Sequence, residues 1–449
     1  MKLLLTLLFA TEILLADTAA TQTPIYYTRY TDSPAGPVAQ LFRLGVGTDT
    51  QIPVGLPEQA LPAISKSGRF AAVTSGDPNR PNKISQNVYI IDLADNSPRL
   101  LVEKSDATDP ITGSSTTTLP LFKAFSPDGS LLAVSSVRQT IANPQGLSTS
   151  PLLEIHRVTD GFPVALTVIG QIRTGDYTEM AGLDWSGQGN VLVTPLRRDS
   201  PTGPGQVTAI HLVSPIEDAI GRNAFTQISF PQSTSGFNQG VFFTLWENDL
   251  LPAFAPNGTE VAYFRAPQGL AGTVPPQRFF QQPVLLVRNL NSHQTRTVRN
   301  FPQGLYPTGL SWSPDGTRLI VGIAPLLFSD GQPIPQGNLL QSNLVIVNAA
   351  DGTSEGVGIP ASAAFPAWPP VDGSSSGSLP AVTLSPGTNG NLILQTHGAV
   401  PSANFTLKSS GNLSTWGNPQ TFTGAELNNG FTVTPGQIRE FFRIEASTN

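Results

Sequence analysis

The stretch FSPDGSLLAVSS, residues 125–136, decides the fold because close variants of it recur along the chain. In this stretch the proline presets a tight turn, the aspartate bonds back to the backbone, and the glycine supplies the positive φ that leads into the next strand. The alternating apolar residues after the glycine predict a β-strand. Every copy of the stretch therefore predicts a β-hairpin.

Six copies of this turn are spaced regularly along the chain. Successive glycines of the turn lie 57 to 69 residues apart, and they are Gly68, Gly129, Gly189, Gly258, Gly316 and Gly373. A third apolar strand, and in most copies a fourth, follows the turn. A repeat of four antiparallel strands is typical of a β-propeller blade.

The two ends of the repeat region complete each other. Residues 25–52 have the pattern of strands two to four without a first strand, and residues 364–368 supply a first strand near the last turn. Pairing the two segments closes a ring of six blades and removes sheet edges that would otherwise invite aggregation. We therefore predict an all-β chain in which residues 21–373 form a six-bladed β-propeller.

The first 20 residues have the pattern of a secretory signal peptide, with Lys2, an apolar run to Leu15, and small residues at Ala19 and Ala20. Glu12 interrupts the apolar run, which leaves a buried N-terminal strand or helix as the alternative. No later stretch reaches the roughly 18 apolar residues that cross a membrane. We predict export to the periplasm or the exterior, as a monomer without a membrane span.

The bulk composition excludes several classes of protein. The chain contains no cysteine, which excludes disulfides, thiolate metal sites and cysteine nucleophiles. Its formal net charge is -6 and only 12% of its residues are charged, so it has no electrostatic footprint for nucleic acid. Hydrophobic residues make up 39% of the chain, which is enough for a sizeable core.

A Gly/Ser linker at residues 374–380 precedes a tail, residues 381–449. The tail contains the alternating segments NFTLKSSGNLSTW and REFFRIEAS, which predict strands of a small β-sandwich-like module. These segments resemble accessory modules at the C-termini of secreted bacterial proteins. The linker and the tail are therefore predicted to be separate from the propeller.

The repeated turn resembles the TolB-like repeat, a WD40-like Pro-Asp-Gly repeat, and the copies at residues 125–129 and 312–316 match it fully. The resemblance covers residues 25–373 and implies a TolB-like six-bladed propeller of a secreted bacterial protein. Such propellers serve as protein-docking scaffolds, lids of serine peptidases and sugar-active enzymes, so the resemblance implies a fold rather than one function. The blade pattern begins about five residues after the predicted cleavage site, which leaves no room for the N-terminal α/β domain of TolB itself.

Motifs for catalysis and for cofactors are weak in this sequence. One G-x-S-x-G pattern surrounds Ser375, but it lies in the Gly/Ser linker instead of at a strand-to-helix elbow. Asp128 and Asp315 are interpreted as turn residues. The histidines have no zinc-binding spacing, and they are His156, His211, His293 and His397. We predict no metal, no cofactor and no catalytic residue.

One carboxylate stands out among the first strands. Asp184 occupies the position before the aromatic anchor, where the other first strands have alanine or serine. First strands line the channel of a propeller, so Asp184 is a candidate polar ligand or acid/base group. Asp176 and Glu179 lie just upstream and are candidates for the second carboxylate of glycosidic chemistry. The alternative is a buried aspartate that backbone amides satisfy.

Most long insertions of the repeats are predicted to form loops on one face of the disc, because alternate turns of an antiparallel blade share a face. Aromatic and arginine residues concentrate in these insertions, and such residues dominate binding hot spots. The candidate binding residues, including Asp184, are Tyr177, Asp184, Arg197, Arg198, Phe243, Trp246, Phe279 and Phe280.

Two functions are consistent with this sequence. The favoured one is an exported, non-catalytic scaffold that binds a protein or glycan partner through the long loops of one face. The alternative is a polysaccharide lyase or glycoside hydrolase with its site at the propeller channel. An enzyme of that kind requires two or more carboxylates, or Tyr, His and Arg groups, at the channel mouth.

Overall fold

The computed structural model describes most of the chain. The described residues are 24–33, 37–45, 48–76, 86–103, 107–108, 115–142, 146–168, 182–186, 192–199, 206–213, 225–238, 241–272, 277–329, 332–357, 359, 361–369, 381–386, 392–397, 404–410, 417–423, 431–433 and 441–447. Within these ranges the chain is all-β apart from a short 3₁₀ turn at Leu339–Gln341. No helix in them has the length and apolar character needed to cross a membrane.

The chain divides into two compact units, residues 1–370 and residues 371–449. The strands of the first unit, in chain order, are β1 (Ile25–Thr31), β2 (Val38–Gly45), β3 (Thr48–Gln51), β4 (Ala60–Ile64), β5 (Phe70–Gly76), β6 (Gln86–Asp92), β7 (Ser97–Val102), β8 (Ala107–Thr108), β9 (Ser115–Phe125), β10 (Leu131–Ala142), β11 (Gly146–Arg157), β12 (Pro163–Val168), β13 (Asp184–Trp185), β14 (Leu192–Asp199), β15 (Gln206–Val213), β16 (Phe225–Gln227), β17 (Ser233–Asn238), β18 (Val241–Trp246), β19 (Asp249–Phe254), β20 (Glu260–Arg265), β21 (Gln268–Ala271), β22 (Gln277–Phe280), β23 (Val284–Asn289), β24 (Thr295–Asn300), β25 (Leu305–Trp312), β26 (Arg318–Ser329), β27 (Gln332–Gly337), β28 (Asn343–Asn348), β29 (Ser354–Gly356) and β30 (Ala363–Ala367).

Six antiparallel sheets of this unit have the strand order of a propeller blade. In chain order they are β30-β1-β2-β3, β4-β5-β6-β7, β9-β10-β11-β12, β13-β14-β15-β16, β19-β20-β23-β24 and β25-β26-β28-β29. Two of them carry an additional strand, because β8 pairs with β9 and β27 pairs with β26.

The N-terminal strand closes the circuit of sheets. Strand β1 pairs with β30 in antiparallel register, with Tyr26 opposite Ala367 and Arg29 opposite Ala363. The first strands β30, β4, β9, β13, β19 and β25 contact one another in that order and return to β30. The predicted pairing between the two ends of the repeat region is therefore present, and the sheets surround a common centre.

The repeated glycine turn has the predicted conformation in every copy that the described residues contain. Gly68, Gly129, Gly258 and Gly316 have φ values of 70, 71, 69 and 70°. Each of their backbone N–H groups donates to the carbonyl oxygen three residues earlier at 2.9 Å. The copies at Gly189 and Gly373 lie outside the described residues.

The aspartate of the turn fixes the loop around it. The carboxylate of Asp128 accepts from the Ser126 hydroxyl at 2.5 Å and from the Ser130 amide at 3.0 Å. Partial burial acts to raise the pKa of Asp128, but these hydrogen bonds outweigh it and hold the pKa below its usual value. Asp315 makes the equivalent bonds with Ser313 and Thr317. Both aspartates are turn residues, as the sequence predicts.

The aromatic anchors of the first strands join neighbouring blades. Phe125, Trp185, Phe254, Trp312 and Trp368 are buried, and each packs on strands of the preceding blade. The Trp312 indole N–H also donates to the carbonyl oxygen of Ala253 at 3.1 Å. The recurring aromatic residue therefore buries its area between two sheets.

Neighbouring blades also interlock at their outer edges. Gly161 and Gly352 lie in equivalent turns between third and fourth strands, each with a φ of 73°. A Cβ atom on Gly161 would collide with the Leu101 carbonyl oxygen, and one on Gly352 would collide with that of Val298. Only glycine fits both the positive φ and this close approach.

Several of the insertions that are predicted to be loops form strands instead. Strand β9 has 11 residues, and β10, β11 and β26 have 12 each, so much of these insertions extends the blade hairpins. Two further insertions form a separate sheet. The Thr, Gln and aromatic residues of these segments suit a pleated sheet surface, which is why they pair as strands.

The described residues of the second unit form six strands in two sheets of three. They are β31 (Ala381–Pro386), β32 (Leu392–His397), β33 (Asn404–Ser410), β34 (Gly417–Thr423), β35 (Phe431–Val433) and β36 (Phe441–Ser447). The two sheets have the orders β31-β32-β35 and β34-β33-β36. The predicted strands of the tail are present, whereas the predicted linker at 374–380 lies outside the described residues.

Candidate binding surface and central channel

Two insertions of one blade combine into an additional four-stranded sheet, here called the accessory sheet, with the order β17-β18-β21-β22. Its strands β18 and β21 continue the blade strands β19 and β20 across short breaks at residues 247–248 and 266–267. The accessory sheet is therefore an outgrowth of the first two strands of that blade.

A buried ion-pair cluster holds the junction between the blade and the accessory sheet. The Arg265 guanidinium donates to both carboxylate oxygens of Asp249, at 2.8 and 3.0 Å, and pairs with Glu247 at 3.0 Å. Glu247 in turn accepts from the backbone N–H of Gln232 at 2.8 Å. Burial raises the pKa of Asp249, whereas the hydrogen bonds and charge of Arg265 act to lower it. The bidentate contact gives the buried carboxylate its partner.

The structure brings four predicted binding residues into this one sheet. Phe243 and Trp246 lie on β18, and Phe279 and Phe280 lie on β22. Trp246, Phe243 and Phe279 are partly buried, whereas Phe280 is buried with its ring edge-on to Tyr306 at 6.5 Å between centroids. The four residues are grouped because two insertions, which are far apart in the sequence and are predicted as separate loops, pair through β18 and β21.

Two of these aromatic rings lie against glycines of neighbouring strands. A Cβ atom on Gly236 would lie 3.4 Å from the Phe243 ring. On the same face, between strands β21 and β22, a Cβ atom on Gly269 would collide with the Phe279 ring. Glycine leaves space on the strand surface, and the aromatic ring of the neighbouring strand fills it.

The most exposed aromatic residue of the accessory sheet is one that the sequence analysis did not single out. Phe237 on β17 is 76% exposed, and Phe242, opposite it on β18, is 42% exposed. The two rings meet edge to face at 5.4 Å between centroids. The signal was the stretch FNQGVF, because Phe residues placed symmetrically around a turn face each other across a hairpin.

Strand β17 forms one edge of the accessory sheet. In the described residues it pairs with β18 alone, so its outer backbone groups pair with no other strand. Its sequence, STSGFN, contains no charged residue and no proline. Charged residues and proline are the usual means by which an exposed edge avoids pairing with another chain.

The remaining predicted binding residues are elsewhere or outside the described residues. Arg197 and Arg198 lie on β14, opposite Thr208 and Val207 of β15, in a different sheet. Tyr177, together with Asp176 and Glu179, lies outside the described residues.

Asp184 connects two neighbouring first strands. Its carboxylate accepts from the backbone amide of Trp185 at 2.9 Å and from that of Phe254, in the next blade, at 2.7 Å. The Ser311 hydroxyl makes the equivalent link by accepting from the Trp368 amide at 3.0 Å. Burial raises the pKa of Asp184, and the charge of Lys66 acts against it. Through these hydrogen bonds the Asp184 carboxylate links its own blade to the next one.

The two repeat-equivalent histidines are buried in third strands. The imidazole Nδ1 of His156 donates to the Gly161 carbonyl at 3.1 Å, and that of His211 donates to the Ala209 carbonyl at 2.9 Å. No group of three or more His, Asp or Glu side chains in the described residues is arranged to hold a metal ion.

The centre of the ring contains a cavity of about 80 Å³. Each first strand contributes to its lining, with Pro62, Lys123, Leu183, Pro252, Leu310 and Pro366 in equivalent positions. Sites for drug-sized molecules are roughly 300–1,000 Å³. Among the described residues that line this cavity, Lys123 is the one with an ionisable side chain.

Lys123 replaces an apolar residue of the other blades at this position. Its side chain is buried, with 5% of its surface exposed, and its ammonium donates to the Thr74 hydroxyl and to the Leu121 carbonyl, the latter at 3.1 Å. Burial lowers the pKa of Lys123 to about 7. The sequence signal for this residue is a lysine between Phe122 and Ala124, where equivalent strands have proline or leucine.

Comparisons with known proteins give similarities of fold. No protein-family model and no curated protein match the chain. Similar solved structures include TolB from Acinetobacter baumannii, which is 11% identical over 78% of this chain and 67% of its own, with a TM-score of 0.46. An oligogalacturonate lyase from Vibrio parahaemolyticus is 12% identical over 84% of this chain and 89% of its own, with a TM-score of 0.39.

A puromycin-hydrolyzing peptidase from Mycobacterium tuberculosis is also similar, with 13% identity over 85% of this chain and 60% of the peptidase, and a TM-score of 0.41. The three similar structures include a TolB protein and two enzymes. At these identities the likeness concerns the fold alone, so the function has to be argued from the residues of this chain.

Proposed function

We propose that this chain is an exported, non-catalytic propeller scaffold that binds an extended segment of a protein partner along the accessory sheet. The observation that carries the proposal is the uncharged, unpaired edge strand β17 with Phe237 exposed beside Phe242. The propeller supports this surface through the buried pair Arg265–Asp249 at its junction.

The mode of binding follows from the chemistry of a sheet edge. An extended peptide that adds to β17 gains backbone hydrogen bonds along the strand. Its alternate side chains then lie on the face that carries Phe237 and Phe242, where aromatic area supplies binding energy. The favoured ligand is therefore an apolar extended peptide rather than a folded, charged surface.

The central channel supports a non-catalytic role. A site for glycosidic chemistry needs two carboxylates around a sugar-sized space. The cavity of about 80 Å³ is lined mainly by proline, leucine and other apolar residues, with Lys123 as the ionisable group in the described lining. These features favour binding at the accessory sheet over catalysis in the channel.

The proposal is tested with displayed random peptides and with a glycan array, both probed with the full chain. We expect selection of extended apolar peptides whose affinity falls at least about tenfold in Phe237→Ser and in Ser235→Lys, since a lysine on the edge obstructs strand addition. The matched control is Phe162→Ser, because Phe162 is 59% exposed in another blade.

Three outcomes contradict the proposal. In the first, selected peptides bind Phe237→Ser and Ser235→Lys as tightly as the unchanged chain. In the second, Phe162→Ser loses as much affinity as Phe237→Ser. In the third, the array gives a glycan whose binding depends on Phe237, while no peptide does; that result replaces the protein partner with a glycan.

A further inference from the structure

One residue in the lining of the central cavity, Lys123, carries a buried ammonium group. In the described part of the chain, Lys123 forms no ion pair, and its contacts are the Thr74 hydroxyl and the Leu121 carbonyl. The nearest candidate counter-charge on the neighbouring first strand, Asp184, is bonded to the amides of Trp185 and Phe254. A buried charge of this kind is costly unless something compensates it.

The cavity is large enough to hold a small ion. A cavity needs about 10–15 Å³ for each water centre, and the volume here is about 80 Å³. The equivalent positions around Lys123 are three prolines and two leucines. Aliphatic walls favour ions that give up their hydration shell easily, because the walls offer no hydrogen bonds in exchange.

We propose that the central channel binds one small monovalent anion, a weakly hydrated halide such as bromide or chloride or a formate-sized carboxylate, through the ammonium group of Lys123. The ligand class follows from a single cationic donor, a small cavity and aliphatic neighbours. A doubly charged sulfate or phosphate does not fit, since it loses more hydration and finds only one positive charge. This inference is independent of the accessory sheet.

Binding of the anion is coupled to protonation of the lysine. Burial lowers the pKa of Lys123 to about 7, so the amine loses its charge as the pH rises above that value. The anion interacts with the protonated form, and its binding therefore raises the pKa in turn. Occupancy is highest below about pH 7 and falls above it.

The first test uses thermal melting of the full chain in sodium bromide, chloride or formate, against sodium sulfate and fluoride, at an ionic strength of about 0.1 M. We expect bromide and formate to raise Tm by about 2–4 °C at pH 6 and to have no such effect at pH 9. The effect should be absent in Lys123→Met and intact in Arg69→Met, which removes a side chain that is 61% exposed.

The second test does not depend on a variant. Crystals of the unchanged chain soaked in bromide should give one anomalous peak on the ring axis, beside the Lys123 amine, and bromide NMR lines should broaden at pH 6 more than at pH 9. If Lys123→Met does not fold, Lys123→Gln replaces it. Melting shifts that are equal in all variants, or a bromide-soaked channel that contains water only, overturn the proposal.

Discussion

The propeller and the accessory sheet use the same kind of strand but are held together differently. In the propeller, the contacts between blades recur, as in the links from Asp184 to Phe254 and from Ser311 to Trp368. The accessory sheet occurs once and is joined to its blade through the cluster around Arg265. Repetition spreads stability over many equivalent contacts, whereas an outgrowth depends on the few residues at its base.

The largest expected effect tests the base of the accessory sheet. Arg265→Met leaves the buried carboxylate of Asp249 without its bidentate partner, and we expect a loss of about 3–5 kcal/mol in the free energy of unfolding. Urea unfolding measures the change. Arg157→Met is the control, because the Arg157–Asp160 pair is half-exposed and is expected to contribute less than about 1 kcal/mol. If both variants lose the same unfolding free energy, the accessory sheet does not depend on the buried cluster at its base.

A smaller effect is expected at the outer contact between blades. Gly352→Ala combines a positive φ with a collision against the Val298 carbonyl, so we expect a loss of about 2–4 kcal/mol. Gly55→Ala provides the matched control, since Gly55 has a φ of 71° and open space around its Cβ position. Only the conformational cost of about 1 kcal/mol applies there. Chemical denaturation gives the free energy of unfolding of both variants, and their difference is the cost of the collision alone. If Gly352→Ala loses no more stability than Gly55→Ala, the blades are not interlocked at this contact.

The link between first strands is expected to have an intermediate effect. Asp184→Ala leaves the buried amide of Phe254 without its acceptor, which costs about 1–3 kcal/mol. Ser311→Ala makes the same change two repeat units away and should cost a comparable amount through Trp368. The two unfolding free energies are compared directly. No loss in either variant shows that the link does not stabilise the ring.

The smallest effect concerns the charge of the repeated turn. The pKa of Asp128 is lower in the folded chain than its usual value, so its stabilising contribution is present above about pH 4 and is lost as the pH falls through the folded pKa. Asp128→Asn keeps the turn geometry, as the natural Asn257 shows by accepting from the Thr259 amide at 2.9 Å. We expect a loss below about 1 kcal/mol at pH 7, because the carboxylate is largely exposed. The loss should shrink as the pH falls below about 4 and vanish once the folded carboxylate is protonated. A difference that persists unchanged at pH 3 rules out the charge as its cause.

The repeated strands and turns of the propeller were predictable from the sequence, because the same turn pattern recurs at regular spacing and each copy supports the same interpretation. The glycines of the turn require a positive φ, and the missing first strand of residues 25–52 identifies its partner at residues 364–368. The accessory sheet was not predictable in the same way, since β18 and β21 pair only because two separate insertions leave the same blade. Phe237 and Lys123 share this difficulty, because the exposure of Phe237 and the burial of Lys123 are not revealed by spacing in the sequence.

The pairing of β1 with β30 has a consequence for the order in which the chain folds. Strands β1, β2 and β3 are synthesised first, but their sheet gains its first strand only when residues 363–367 are available. Until then the edge of β1 stays open, and contacts of such long sequence separation form slowly. An incomplete chain is therefore exposed to pairing with other chains during synthesis, and assembly of the ring ends with the joining of its two ends.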